Sequence, residues 1–327
     1  VESEAFFVAG DVRSNEQPAL TSMHTLFVRE HNYQAERLAD RLGYDASDLA
    51  RHVIDERLFQ LARAITSAEI QSITYNEFLP ALLGPDQLES YGGYRSDVDA
   101  GIANLFSASI YRVGHTMLPS ELLLLNDDGT PVSDAPDVLG SVVEDGSVGL
   151  ADAFFNPQLI KHYGIEPYLK GLSVQLTEEV DSKIIDEVRN LLFDPPAATD
   201  LGATNLMRGR DHGLADYNQT RVDLGLEPFI EVAQISSDPE VVARLRAAYD
   251  ADNDGVNGYA AIENIDLFAG AISEDRRGGG SVGELIHSVL VDQFTRLRDG
   301  DRFYYENVFR GQSLRQIQNT RLSDIIR

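Results

Sequence analysis

Residues 97–118 constrain this chain more than any other stretch. Ile102, Leu105, Phe106, Ile110, Val113 and Met117 recur at helical spacing and make one apolar face. Gly101, Asn104, Ala108, Tyr111 and His115 share the opposite face. Arg112 is the only formally charged residue between Ala100 and Leu118, so the helix is expected to be buried. Gly101 and Ala108 would let a second helix or a planar cofactor approach its backbone. His115 stands at the end of that face, after Gly114 and before Pro119, where the helix must stop. A neutral imidazole there is either a hydrogen-bonded core residue or a metal ligand, and the rest of the chain decides between the two.

A chain of 327 residues can bury a large core, and a mean hydropathy of −0.21 is that of a globular protein. It has no apolar run of membrane-spanning length and no basic-then-apolar leader pattern near its start. Acidic residues number 53 against 27 lysines and arginines, a net charge of −26, which argues against nucleic acid or an anionic membrane as partner. Lys161, Lys170 and Lys183 are the only lysines, so nearly all cations are arginines. A guanidinium grips carboxylates bidentately, which suggests fixed roles for some of them. The absence of cysteine removes disulfides, thiolate metal ligands and cysteine nucleophiles.

Helical signals dominate the order of elements. Pro18 opens a helix that Gly43 closes after Leu42, with Leu20, His24, Phe27, His31, Ala35, Leu38 and Leu42 on its expected core stripe. His24 and His31 read there as core histidines. Asp45 or Ser47 caps a second long helix reaching about Thr74, and a short helix follows at 80–83. Residues 121–125 read as a strand, Asn126 to Gly129 as a turn, and the Gly-, Asp- and Ser-rich stretch to Gly149 as a surface loop. Short helices are expected around 157–162 and 167–171, and an amphipathic one over 177–193 with Glu178 and Glu179 in its first turn. Two helices broken at His212-Gly213 lie within 201–225, others over 238–249 and 281–297, and two short ones after Ser313 and Leu322. With no repeat and no clean linker, the expected fold is mainly α, a single large helical domain over 1–327 with minor β. Asp250, Asp252, Asp254 and Gly255 open like a calcium-binding EF-hand loop, but Ala261 holds the position that needs Glu, and Glu263 comes two residues late. A calcium site and a solvated acidic loop are the alternatives there.

Three stretches carry chemistry together: Ala9-Gly10-Asp11-Val12-Arg13-Ser14-Asn15-Glu16, Tyr111-Arg112-Val113-Gly114-His115, and Asn205-Leu206-Met207-Arg208-Gly209-Arg210-Asp211-His212-Gly213. In them the chain resembles the animal-type haem peroxidases, the family of myeloperoxidase and peroxidasin. Leu20 to Thr25, Arg29 to Asn32 and Leu297 to Phe303 match the same family in the same order, so the resemblance runs over nearly the whole chain.

The resemblance implies haem b, or haem joined to the chain by an ester. His115 resembles the proximal ligand of the haem iron, and Asn205 the residue whose amide takes the hydrogen bond from the other ring nitrogen. Arg112 and Arg208 resemble the arginines that pair with haem propionates. Arg13 resembles the distal catalytic arginine, which stabilises the charge that builds as the peroxide O–O bond breaks. Glu16 resembles the carboxylate that forms an ester to a haem methyl; Gln17 stands where myeloperoxidase has a methionine bonded to haem, so that link is absent.

The family's distal histidine, second ester-forming aspartate and calcium loop lie upstream of the Arg13 segment. The chain therefore reads as the larger part of a peroxidase domain, incomplete at its N-terminus and slightly so at its C-terminus; the alternatives are truncation, proteolytic separation from an N-terminal partner segment that carries the distal histidine, and an incomplete sequence. Without that base, peroxide heterolysis loses a general-base contribution of ~10²–10⁴-fold. The implied function is reduction of hydrogen peroxide with oxidation of phenolic or halide donors, in an extracellular or periplasmic setting. The alternatives are a non-catalytic haem-binding or adhesion module and a fatty-acid dioxygenase of the same superfamily. The dioxygenase needs a tyrosine three residues before the proximal histidine, where this chain has Arg112.

Overall fold

Pro18 begins the first long helix and Gly43 ends it, at the boundaries the turn chemistry predicts. The structure, a computed structural model, describes residues 6–133, 146–190, 200–249 and 262–327. These residues are mainly helical, with a two-stranded sheet. Backbone contacts group the chain into two units, one of residues 1–77, 119–176 and 305–327, the other of residues 78–118 and 177–304.

In the first unit, Gln17 caps the helix Pro18–Leu42 through an Oε1 that accepts from the Ala19 N–H at 2.7 Å, and Gly43 adopts the left-handed conformation (φ 71°) that terminates it. Its buried face is not the predicted stripe. Ala19, Thr21, Ser22, Leu26, Gln34 and Ala39 are buried, whereas His24 is exposed and His31 sits half-buried against Phe59. Small side chains let a partner helix come close, and the Thr21 and Ser22 hydroxyls are satisfied locally by the Ser14 and Pro18 carbonyls, both at 2.7 Å. Large apolar residues at helical spacing thus marked the flank of the interface.

The partner helix is His52–Ile73, which buries Ile54, Leu58, Ala62, Ala68 and Ile73. Asp45 does cap, accepting from the Ser47 N–H at 2.8 Å, but only the single turn Ala46–Leu49. Extended backbone at Arg51 (φ −89°, ψ 116°) separates that turn from the long helix, which ends in a π turn at Thr74–Phe78.

Between these two helices lies a buried acid. Glu69 is 4% exposed; its Oε1 accepts from the Gln34 amide at 3.1 Å, and the same amide reaches the Glu30 Oε1 at 2.6 Å. Burial, with the Glu30 charge beside it, raises the Glu69 pKa to about 8. The folded state therefore keeps a proton that the unfolded chain loses above its ordinary value of 4.5. Stability is expected to fall as pH rises from that value through 8, by up to ~5 kcal/mol from this group. Urea midpoints of the chain and of Glu69→Gln across that range check it: the variant should lose this pH dependence, and an unchanged slope would contradict the assignment.

β1 (Glu121–Leu123) pairs antiparallel with β2 (Ser147–Gly149) in the register Leu122↔Val148. The predicted turn at Asn126–Gly129 is present, with Gly129 at φ 80°. The predicted loop, however, ends in β2, because Val148 fills the core beside Leu122 and Leu150. The helix Glu166–Val174 packs on β1 at Gly171, where any Cβ would collide with the Leu123 carbonyl oxygen.

In the second unit, helices Leu201–Asp211, Tyr217–Asp223, Pro239–Tyr249, Leu267–Ser273 and Glu284–Asp299 carry the framework. The predicted helix over 177–193 is largely absent from the described part: residues 177–185 are irregular, and a helix begins only at Asp186. Tertiary partners override the amphipathic pattern there. The Glu178 N–H donates to the Met117 carbonyl at 3.1 Å, Glu179 pairs with Arg276, and Val180 is buried. Among the described residues no helix is long and apolar enough to cross a membrane.

Candidate functional site

The uncharged stretch that ends in His115 is not one helix. It forms an α-helix at Asn104–Ala108 and a 3₁₀ helix at Ile110–Thr116, broken at Ser109 (φ −136°, ψ −73°). The break has a visible cause. Residues five apart on an α-helix point to different sides, yet the Tyr111 ring stacks on Phe106 with centroids 4.4 Å apart and 17° between planes. Phe294 closes this cluster edge-on to both rings, 5.9 Å from each. Phe106, Ala108, Ile110 and Val113 are buried as expected, but Ile102 precedes the helix and is exposed.

The 3₁₀ geometry matters for the site because side chains three apart eclipse one another. Arg112 and His115 therefore share one face. Opposite them stands Asn205, wholly buried on the helix Leu201–Asp211, whose packing partners include Leu267–Ser273 and both site helices. Asp200 caps that helix through the Ala203 N–H at 2.9 Å. Its other end is tied by a bidentate Arg210–Asp266 pair (2.7 and 2.6 Å) and by His212 Nδ1 at 2.7 Å from Asn104 Oδ1. Gly270 lets Leu267–Ser273 meet Tyr217, whose ring a Cβ there would strike.

Asn205 Nδ2 lies 3.0 Å from His115 Nδ1, and Asn205 Oδ1 lies 3.4 Å from an Arg112 terminal nitrogen. The amide is in place, with its nitrogen rather than its oxygen toward the ring. In this orientation it donates to Nδ1 and sets the Nε2–H tautomer; a 180° turn of the amide would reverse both roles, giving up the marginal 3.4 Å contact and turning the amide N–H₂ toward the Arg112 guanidinium. Burial first, and then the Arg112 charge, lower the His115 pKa, so the ring is neutral at neutral pH. Nothing among the described residues bonds its Nε2.

Arg112 bonds the Ala108 carbonyl through Nε at 3.0 Å, and burial and the Arg208 charge lower its pKa. Arg208 lies three residues after Asn205 on the same helix and is exposed. Neither arginine has a carboxylate partner among the described residues. Two such guanidinium groups have the chemistry to hold an anion.

Arg13 and Glu16 belong to the other unit. Arg13 follows its N-cap Asp11 in a 3₁₀ turn, Val12–Asn15, and is largely exposed in a pair with that Asp11 at 2.6 Å. Glu16 ends the turn rather than starting the next helix. It is half-buried, its carbonyl accepts from the Phe155 N–H at 2.8 Å, and burial raises its pKa. The Asp250–Asp254 motif lies outside the described residues. The sequence named Asn104, Arg210 and His212 within its motifs but gave them no role, and it did not single out Asp266; together these four fasten the Asn205 helix. Their signal was present only as polar residues at helix ends.

The animal haem peroxidase family model matches residues 1–327. Peroxinectin A of Dictyostelium discoideum is 33% identical over 99% of this chain and 55% of its own length. Myeloperoxidase of Mus musculus is 37% identical over 98% of this chain and 42% of its own. Among solved structures, peroxidase A from Dictyostelium discoideum superposes with a TM-score of 0.83 at 32% identity, over 98% of this chain and 57% of that one. The chain thus spans about half the length of these relatives.

Proposed function

The chain belongs to the animal haem peroxidase family, and from that premise we propose that it forms part of a haem-dependent peroxidase reducing hydrogen peroxide at the expense of phenolic or halide donors. The observation that carries this reading is the pairing of a neutral, half-buried His115 with the buried amide of Asn205. The donor set fits the cofactor. A porphyrin brings four nitrogens of its own and asks the protein for one imidazole; among the described residues no group of three His, Asp or Glu side chains is arranged to cage a bare ion.

Haem, when bound, supplies the two-electron reduction of peroxide and the subsequent oxidation of donors. His115 holds the metal through Nε2, which requires Nδ1 to carry the proton. Asn205, its amide turned, accepts that proton's hydrogen bond, fixes the ring plane and makes the ligand more basic. Arg112 and Arg208 take the propionates in charge-assisted bonds. Arg13 is the proposed distal arginine, stabilising negative charge on peroxide oxygen; its exposed bond to Asp11 costs little to exchange. Glu16 is the proposed point of ester attachment. An extracellular or periplasmic setting goes with this reading.

The test is peroxide-dependent oxidation of a phenolic dye by the haem-loaded chain and by Asn205→Leu. Turnover above that of free haem, falling ~10–100-fold in the variant, is expected from loss of an outer-shell partner. Haem binding with no dye oxidation would favour the non-catalytic module, and an unaffected Asn205→Leu would overturn the role given to the amide.

A further inference from the structure

A cavity of about 870 Å³ opens in the first unit among helices Pro18–Leu42, His52–Ile73 and Gly311–Asn319. Its size is that of a small-molecule site. Leu38, Leu61, Ile65 and Phe309 give it apolar walls. Arg37, Arg41 and Arg315 line it too, all three exposed and none in an ion pair among the described residues. Arg37 also bonds the Gln34 Oε1 at 3.3 Å and lies 5.4 Å from the Tyr33 ring centroid. In a chain with 53 acidic and 27 basic residues, leaving three arginines without a carboxylate partner at one cavity is not something folding requires. A fourth polar group points the same way. Glu69 lines the cavity at 4% exposure, and its Oε2 is buried with no hydrogen-bond partner. A buried oxygen without a partner keeps an unmet desolvation cost, which a ligand atom would relieve.

We propose that this cavity binds an amphipathic organic anion, its carboxylate head held by Arg37, Arg41 and Arg315 and its apolar body laid along Leu38, Leu61, Ile65 and Phe309. Burial and the Glu30 carboxylate beside it keep Glu69 protonated, so it adds no charge against the head group. The other acid on the lining, Asp324, is exposed to solvent and accepts from the Arg321 N–H at 2.9 Å. The inference rests on side chains of this unit alone and stands whether or not the chain binds haem.

Calorimetric titration of the full chain with dodecanoate and with dodecanol, below their aggregation limits, tests it. One dodecanoate per chain is expected, with dodecanol at least ~10-fold weaker for want of a charged head. Arg41→Glu/Arg315→Glu should weaken dodecanoate at least ~10-fold, while Arg63→Glu, on the same helix as Glu69 and outside the cavity, should not. The milder Arg41→Gln and Arg315→Gln, read in the same way, should each weaken it in the same direction and cover the case in which charge reversal disturbs folding. Equal affinity for acid and alcohol, no saturable binding, or variants that bind like the parent would each overturn the proposal.

Discussion

Replacing His115 with alanine is expected to abolish saturable haem binding by this chain. Loss of an outer-shell partner alone weakens a metal site ~10–100-fold, so loss of the ligand itself should exceed that. Several features support His115 as the proposed ligand. Burial and Arg112 keep the ring neutral, Asn205 occupies Nδ1, and Nε2 has no competing partner among the described residues. The ring is half-buried at the end of a short 3₁₀ helix, so truncation should leave the framework standing. Absorption titration with ferric haem reads the affinity, and circular dichroism reads the fold. Added imidazole should restore the parental spectrum in the alanine variant. A His115→Ala chain that binds haem as tightly as its parent, with the same spectrum, would remove His115 from the site.

Arg221→Met is expected to destabilise the second unit by ~3–5 kcal/mol, the scale for removing one partner of a buried ion pair. Arg221 is 1% exposed. It pairs with Glu274 and Glu284, each at 2.6 Å, donates to the Glu227 carbonyl at 2.9 Å, and stacks 4.0 Å over the Phe229 ring. Without it, Glu274 remains buried with only the Tyr217 hydroxyl and the Leu285 N–H to solvate it. This cluster joins the end of Leu267–Ser273 to the start of Glu284–Asp299, both of which pack on the Ile110–Thr116 helix that carries His115. Haem affinity should therefore fall along with stability. Urea unfolding checks the magnitude, with the exposed Arg244→Ala as a control expected to stay within ~1 kcal/mol. An Arg221→Met chain as stable as that control would show the network to be dispensable.

Helix ends were the most legible part of the fold. Pro18, Gly43, Gly213 and Asp238 mark boundaries by backbone chemistry that needs no tertiary partner, and the structure has them where expected. Faces were less legible. The first helix buries Ser22 and Gln34 because their hydroxyl and amide find partners that a hydropathy pattern cannot register. The 177–193 segment has an amphipathic pattern, but its irregular part exchanges helical bonds for contacts with Met117 and Arg276, both distant in sequence. The helix Leu267–Ser273 escaped notice because it is short and, up to its last residue, apolar, with no polar face to create a period. At the site, the spacing of Arg112 from His115 and of Asn205 from Arg208 was visible in the sequence. The break at Ser109 was not, since it depends on Tyr111 reaching back to Phe106.

The most direct measurement is resonance Raman spectroscopy of the reduced haem complex, with and without ¹⁵N-labelled histidine. If the Nε2 of His115 holds the iron, an iron–histidine stretch should appear, shift on labelling, move again in Asn205→Leu, and vanish in His115→Ala. A complex with no label-sensitive stretch, or one whose stretch survives the loss of His115, would contradict the account.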